Sequence, residues 1–432
     1  MKNLFRIKSW ILLSVLLIGL SQCKKAEEII VVYEDEIELG VILPLDQEKG
    51  LLRLHALELA IDQINSEGGV GDGLKIKLKT ASSAGEDRRI AAAAAARQLI
   101  DEHDNMLGLI SCFSSSSLGI VENISKPDQF PTISGAATSS QLSGISSYFQ
   151  RLCPPDEFEA SILSDQANQY GITKLAIAVE EGDAYSENLA EAFQQSFGAG
   201  ADTKISFTSD DPDYGDKINQ LLAGDPEAIF ISMLNPDEYL KLFSALGQIN
   251  RQNSLDQTRF ILCDALYSGE LLQAGIEIML GEINGHPKNF GAFPSADTST
   301  DAFVFFKTKL WEKYNQEVAS YNAQYFDIGY LYALAIEKSL QLSDINNPAD
   351  FRVVLNQQIR MVSHGIQGDP LVGPQQGWKN LKNKCKAGGV DYSGASGNCN
   401  IDEEGNAATA YSIFKMVKNG NEYDFEIIKI IP

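Results

Sequence analysis

The sequence predicts an α/β protein made of two doubly wound lobes, each built around a parallel sheet. Short apolar runs alternate with segments of helical periodicity along most of the chain. This alternation gives two successive βαβαβ runs with short connections, which is typical of parallel sheets covered by helices. With 432 residues, the chain is also longer than one ordinary domain.

The N-terminal segment has the composition of a secretory signal. Lys2, Arg6 and Lys8 precede an apolar run over residues 10–20, which is too short to span a bilayer. Cys23 follows, in a position that resembles the acylated cysteine of bacterial lipoproteins. We therefore expect a signal peptide over residues 1–22, lipidation at Cys23 and a charged tether over residues 23–35. The alternative is a plain secreted protein with a stray thiol.

The overall charge excludes some partners. The formal net charge is −23 at pH 7, and acidic residues are scattered along the chain. Such a surface repels nucleic acids and anionic membranes. After the signal, no apolar run approaches 18 residues. We expect no nucleic-acid partner, and contact with a membrane only through the lipid anchor.

The first elements are predicted from periodicity. Residues 37–44 form a strongly apolar strand, and apolar side chains then recur at helical spacing over residues 51–64. Residues 74–80 alternate between apolar side chains and lysine, as in a half-exposed strand. The alanine-rich segment over residues 90–100 favours a helix by propensity.

A serine-rich stretch over residues 108–140 is the first candidate site. Two apolar runs, residues 106–110 and 130–133, each end in a cluster of hydroxyl residues. A helix over residues 118–124 is expected between these strands, capped by a serine of the first cluster. Hydroxyls and free N–H groups past the carboxyl ends of neighbouring strands would meet at one place suited to a carboxylate. The alternative is an ordinary serine-rich capped loop.

The same alternation continues to the C-terminus. Strands are expected over residues 174–179, 204–207, 228–234 and 260–263, and helices over residues 158–170, 186–197, 216–222, 237–249, 300–314 and 325–342. Residues 410–417 and 422–431 read as a β-hairpin turned by Asn419 and Gly420. This late hairpin suggests that the chain re-enters a lobe it has already left.

Several segments resemble, in order and spacing, the type I periplasmic solute-binding proteins of the branched-chain amino-acid (Leu/Ile/Val) ABC transport group. They include IELGVILPL, HALELAIDQINSEGGV, SCFSSSS, PTISGAATSSQL, EEGDAYSENLAEAF and DPEAIFISML, and the resemblance covers nearly all of residues 36–430. It implies two lobes joined by a three-stranded hinge. The first lobe is expected to hold residues 36–152 and 286–362, and the second residues 153–285 and 363–432.

The resemblance also implies a clamp for the constant part of an amino acid. Ser115, Ala136 and Thr138 align with first-lobe positions that hold the α-carboxylate and α-ammonium groups. Asp264 aligns with the second-lobe acid that pairs with the ammonium, and an aspartate there would offset the burial of that cation. The alternative for Asp264 is a helix N-cap or a solvated loop acid.

Positions that contact the ligand's side chain in the family differ in part. They fall here on Phe113, Tyr185, Tyr321 and Leu234. Leu234 replaces a usual aromatic residue, and the shortened PLDQEKG loop puts Glu48 and Lys49 nearby. These differences argue against leucine-like specificity and leave a polar, charged or larger ligand open. The alternative for each aromatic residue is core packing.

No cofactor or metal is expected. The sequence has no CxxC pair, and its four histidines are far apart. The glycine-rich segment over residues 68–73 follows a helix rather than a strand, which excludes a dinucleotide loop. Cys385 and Cys399 bracket a glycine-rich segment, and a disulfide between them is one possibility in an oxidising compartment.

The sequence favours binding over catalysis. It lacks GxSxG, GxxxxGK[ST] and HExxH motifs, so we predict no catalytic residue and no enzyme. The expected function is capture of an amino acid or similar ligand at the bacterial cell envelope, facing the periplasm or the outer surface, for an ABC permease and its ATPases. A ligand-sensing lipoprotein and a scaffold with a vestigial cleft remain alternatives.

Overall fold

A computed structural model of the chain describes residues 36–85, 87–250 and 255–431. The expected signal peptide, Cys23 and the tether lie outside the described residues. A parallel sheet and a mostly parallel mixed sheet, each packed against helices, form two lobes. The chain passes between the sheets after the fifth strand, after the twelfth and before the sixteenth.

The first sheet has five strands, all parallel, in the order β2-β1-β3-β4-β5. The strands are β1 (Glu36–Leu43), β2 (Lys75–Ser82), β3 (Met106–Ser111), β4 (Thr132–Ser134) and β5 (Phe149–Arg151). β3 and β4 are buried throughout, whereas β2 lies at the edge with half of its length exposed. The apolar runs of β3 and β4 explain their position inside the sheet, because strands buried on both faces need continuous apolar sequence.

The second sheet has seven strands in the order β17-β16-β12-β9-β8-β6-β7. They are β6 (Leu175–Glu180), β7 (Thr203–Phe207), β8 (Ala228–Ser232), β9 (Arg259–Leu262), β12 (Asn289–Ser295), β16 (Ala410–Asn419) and β17 (Glu422–Ile431). The expected hairpin of β16 and β17 is present, and β16 runs antiparallel to β12.

The remaining strands are short. A hairpin of β10 (Glu282–Ile283) and β11 (His286–Pro287) precedes β12, and a small sheet contains β13 (Leu371–Val372), β14 (Asp391–Gly394) and β15 (Gly397–Asn398). The small sheet lies beside α11 and α10.

The helices that connect the strands complete both lobes. They are α1 (Glu48–Ser66), α2 (Arg88–Glu102), α3 (Ser114–Ile120), α4 (Asp156–Gln169), α5 (Ala184–Phe197), α6 (Gly215–Leu222), α7 (Pro236–Asn250), α8 (Gly269–Ala274), α9 (Asp301–Tyr314), α10 (Asn322–Ser339), α11 (Pro348–His364) and α12 (Trp378–Ala387). The nearly fully buried α10 packs against α1, α11 and α12.

The division between the lobes differs from the expected one at two places. Residues 289–295 form β12 in the second sheet, although the sequence placed residues 286–362 in the first lobe. The expected boundary before residue 286 falls inside the β10–β11 hairpin, which turns at Asn284 and Gly285. In addition, α12 belongs with the first lobe, because the buried Trp378 donates from Nε1 to the carbonyl of Gly69 at 2.8 Å.

The possible disulfide is not formed. Cys385 and Cys399 are separate buried thiols. The Cys385 thiol contacts the carbonyl of Leu334 at 3.6 Å, whereas the Cys399 thiol contacts the Ser396 hydroxyl at 3.7 Å. Their different neighbours show that the glycine-rich segment does not bring the two thiols together.

Candidate functional site

The two serine-rich loops lie side by side because β3 and β4 pair in parallel register, Ser111 opposite Ser134. Ser139 donates its backbone N–H to the Ser114 hydroxyl at 2.9 Å, which joins the two loops. The expected serine N-cap is wrong. Phe113 is the N-cap residue of α3 and its side chain makes no capping hydrogen bond, so the serines lie inside the helix.

Most of these hydroxyls brace the loops rather than face a ligand. Ser134 donates to the carbonyl of Cys112 at 2.7 Å, and the hydroxyls of Ser111 and Ser117 are 2.8 Å apart. Only Ser114 and Thr138 of the two clusters reach the open space between the lobes. The stretch is therefore mainly a rigid, internally hydrogen-bonded wall.

A narrow cavity of about 20 Å³, partly open to solvent, lies where these loops face the second lobe. Its walls comprise Lys49, Arg53, Phe113, Ser114, Ala136, Thr138, Tyr185, Leu234, Asp264, Ala265, Tyr267, Ser320 and Tyr321. Seven of the eight positions predicted from the sequence are among them. The exception is Ser115, whose neighbour Ser114 lines the cavity instead.

Ser115 connects the two lobes outside the cavity. Its hydroxyl donates to Asp183 Oδ2 at 2.9 Å and accepts from the backbone N–H of Ala184 at 3.1 Å. Arg88 of the first lobe reaches the same carboxylate, with Nη1 3.2 Å from Oδ2. These contacts hold the lobes in a closed arrangement and leave Ser115 without a position on the cavity wall.

Asp264 is the anionic group of the cavity. It follows β9 and is 5% exposed. Tyr185 of the second lobe and Tyr321 of the first both donate their hydroxyls to its carboxylate. Burial raises the pKa of Asp264, while these two hydrogen bonds favour its ionised form. A ligand cation would meet a carboxylate already oriented from both lobes.

Two further acids behind Asp264 were not predicted from the sequence. Asp156 and Glu159 lie in the first turn of α4 and are fully buried. Glu159 accepts from the backbone N–H of Asp264 at 2.9 Å. Burial raises the pKa of both carboxyls well above their usual values, so their neutral forms are favoured. Glu159 therefore supports the Asp264 loop through this hydrogen bond, whereas the backbone N–H of Asp156 donates to the carbonyl of Thr138 at 2.9 Å.

Two cations of α1 face the same space. Lys49 donates from Nζ to the carbonyl of Ala265 at 3.0 Å, and burial lowers its pKa. Arg53 is 3% exposed, and its Nη1 lies 2.9 Å from the thiol of Cys112. Lys49 was predicted from the sequence to lie near the site because of the shortened PLDQEKG loop. Arg53 was missed, since its spacing in the helix is that of an ordinary amphipathic residue.

The described residues show neither a metal cluster nor a membrane span. No group of three or more His, Cys, Asp or Glu side chains among them is arranged to hold a metal ion. Among the helices of residues 36–85, 87–250 and 255–431, none is long and apolar enough to cross a bilayer.

A hinge-connected pair of α/β lobes that encloses polar and charged groups defines a ligand-binding protein rather than an enzyme. Residues 52–419 match the model of the receptor family ligand binding region, and the chain belongs to this family.

Sequence similarity to individual proteins is low and covers only part of this chain. The chain is 26% identical over 234 residues to metabotropic glutamate receptor 8 of Homo sapiens, which covers 48% of this chain and 26% of the receptor. It is 26% identical over 208 residues to Leu/Ile/Val-binding protein homolog 3 of Brucella melitensis, covering 45% of this chain and 54% of that protein. The chain thus spans only part of the curated relatives that it matches.

The fold agrees with a solved solute-binding protein. A leucine-binding protein from Thermotoga maritima superimposes with a TM-score of 0.70 at 21% identity, covering 91% of this chain and 98% of that one. At this identity the similarity establishes the fold, that of type I periplasmic binding proteins, and not the ligand.

Proposed function

We propose that this chain is a lipid-anchored extracytoplasmic solute-binding protein that captures an amino acid or a related small polar ligand and delivers it to an ABC importer. The carrying observation is a cavity walled by both lobes, with hydroxyls on one side and the carboxylate of Asp264 on the other. A zwitterionic ligand is complementary to such a pair of walls.

In this proposal the constant part of the ligand is held across the cleft. Thr138 and Ser114 donate to the α-carboxylate, while the carbonyl of Ala136 and the carboxylate of Asp264 accept from the α-ammonium. Phe113, Tyr185, Tyr321 and Leu234 surround the remainder. The ligand stabilises the closed state because only that state brings Asp264 and Thr138 to the same molecule.

The closed protein would then dock on a permease served by two ATPases. The similarity to a Leu/Ile/Val-binding protein homolog and to a leucine-binding protein supports this partner class. A lipid on Cys23 would keep the binding protein near the permease at the envelope.

A second candidate is a ligand-sensing lipoprotein that signals to a membrane partner without transport. The match to a receptor ligand-binding region favours it, because the same cleft serves receptors and transporters. A permease and two ATPases encoded beside this protein would support transport, whereas an adjacent sensor kinase would support signalling.

The test is a thermal-shift screen of amino acids, amides and small peptides on protein lacking residues 1–23. Any hit should weaken by about 10- to 100-fold in Asp264→Ala and Thr138→Ala, as expected for loss of a charge-assisted hydrogen bond. Asp202→Ala, which changes an exposed aspartate of the second lobe, serves as the matched control.

Esterified and decarboxylated analogues of the hit should give little shift. Strong binding by these analogues would exclude the carboxylate–ammonium clamp. If both site variants bind as tightly as the parent, the cavity is not the binding site.

A further inference from the structure

We propose that the ligand carries a second anionic group, which Lys49 and Arg53 bind, and that its chemical class is a dicarboxylic α-amino acid. This inference rests on the proposed function, since it assumes that the cavity accepts an α-amino acid. It adds a statement about the charge on the ligand's side chain, which the contacts to the α-carboxylate and α-ammonium groups do not determine.

The two cations lie on one face of α1. Lys49 is in its first turn and Arg53 follows one turn later, so both side chains point into the same part of the cavity. The positive end of the helix dipole adds to their field at this place. An anion bound there would interact with two side-chain charges and a helix terminus at once.

Arg53 has donors to spare. Its Nη1 contacts the thiol of Cys112, but its Nε has no hydrogen-bond partner although it is buried. The guanidinium carbon lies 4.9 Å from the ring centroid of Phe113 and 5.3 Å from that of Tyr321. These rings orient the planar guanidinium, and its rigid fork suits bidentate binding of a carboxylate.

Neither cation has a close ion-pair partner in the described part of the chain. The carboxylates of Glu270 and Asp264 attract Lys49, and Arg53 also acts on Asp264, but these attractions act without a direct ion pair. Burying a guanidinium without a paired anion is costly, and ring contacts offset only part of that cost. A ligand anion would supply the missing partner.

The charge balance of the cavity selects the ligand class. Among the lining side chains, Lys49 and Arg53 are basic and Asp264 is acidic, so the wall itself has one excess basic group, while Glu270 attracts Lys49 from outside the wall. A neutral zwitterion keeps that excess buried. An amino acid with a second carboxylate has a net charge of −1 and neutralises it, so the acidic ligand is favoured over its amide.

The alternative is a structural role, in which Arg53 only fastens α1 to the aromatic rings and to Cys112. In that case its loss would weaken all ligands equally through damage to the wall. Charge recognition instead predicts that only acidic ligands are affected. Comparing an acid with its amide separates these two roles because the two molecules have nearly the same shape.

The experiment is calorimetric titration of protein lacking residues 1–23 with L-glutamate, L-glutamine, L-aspartate, L-asparagine and L-leucine. We expect at least one acid to bind about 10- to 100-fold more tightly than its amide. Arg53→Met and Lys49→Met should abolish most of this preference, because the acid should lose much more affinity than its amide. Arg97→Met, which removes an exposed arginine of α2, should change nothing.

The outcomes distinguish the inference from the proposed function. If no amino acid or related ligand binds the parent, the proposed function fails and the inference with it. If L-leucine or an amide binds at least as tightly as the acids, or if Arg53→Met and Lys49→Met weaken acid and amide equally, the inference alone is overturned. If Arg53→Met fails to fold, the acid and amide affinities are compared in Lys49→Met instead, because the Lys49 side chain is less buried than that of Arg53.

Discussion

The contact between Arg88 and Asp183 offers a direct test of lobe closure. Arg88 starts α2 in the first lobe, and Asp183 precedes α5 in the second. Nη1 of Arg88 lies 3.2 Å from Asp183 Oδ2 and 3.6 Å from Glu180 Oε1. If the ligand binds by closing the lobes, Arg88→Met should weaken ligand affinity without touching the cavity.

The magnitude follows from the partial burial of this pair. The side chain of Arg88 is 21% exposed and that of Asp183 only 4%. An exposed ion pair contributes about 0–1 kcal/mol, whereas hydrogen bonds to charged groups contribute about 1.5–3 kcal/mol. We expect about 1–2 kcal/mol for Arg88, which corresponds to about a 5- to 30-fold increase in Kd.

The assay is calorimetry and stopped-flow dissociation with the best ligand of the thermal-shift screen. The change should appear mainly as faster dissociation, because the pair stabilises the closed complex. Arg97→Met is the matched control, since Arg97 lies on the same helix and pairs with Asp128 inside the first lobe at 2.6 Å. Unchanged affinity in Arg88→Met, or an equal loss in Arg97→Met, would refute the closure argument.

Two further predictions concern pH and the lipid anchor. Burial raises the pKa of Glu180 to about 7 from its usual 4.5, so this carboxyl stabilises the fold below about pH 4.5 and loses that contribution as the pH rises through 7. In urea unfolding across this window, Glu180→Gln should remove a slope of up to about 1.4 kcal/mol per pH unit, and an unaltered slope would contradict the assignment. For the anchor, the full chain should remain in the membrane fraction after a carbonate wash and Cys23→Ala should be released, whereas release of the parent would exclude lipidation.

Much of the architecture followed from local patterns. The continuous apolar runs of β3 and β8 and the hairpin of β16 and β17 were predictable because burial and turn chemistry are encoded over a few neighbouring residues. Asp264 was expected from the resemblance, and its position just past a parallel strand is where open α/β sheets bind ligands. The resemblance to the solute-binding proteins indicated which of these loops would face each other across the cleft.

Contacts between distant residues could not be predicted from local patterns. The expected division at residue 286 came from the resemblance, and only sheet pairing assigned β12 to the second lobe. Ser114 and Ser115 are adjacent and chemically identical, yet the direction of α3 sends one to the cavity and the other to Asp183. A helix rotates successive side chains by about 100°, so one residue of register decides which of them faces a ligand.

The sequence by itself determined the fold class and the loops that border the cleft, because each depends on patterns within one element and its ends, and the resemblance added the acid that faces them. Only the tertiary structure decided the charge of the cavity. Arg53 contacts the loop at Cys112, and Tyr321 closes on Asp264 from the other lobe. These residues come together only after the sheets have formed, and the burial that makes Arg53 require an anion exists only then.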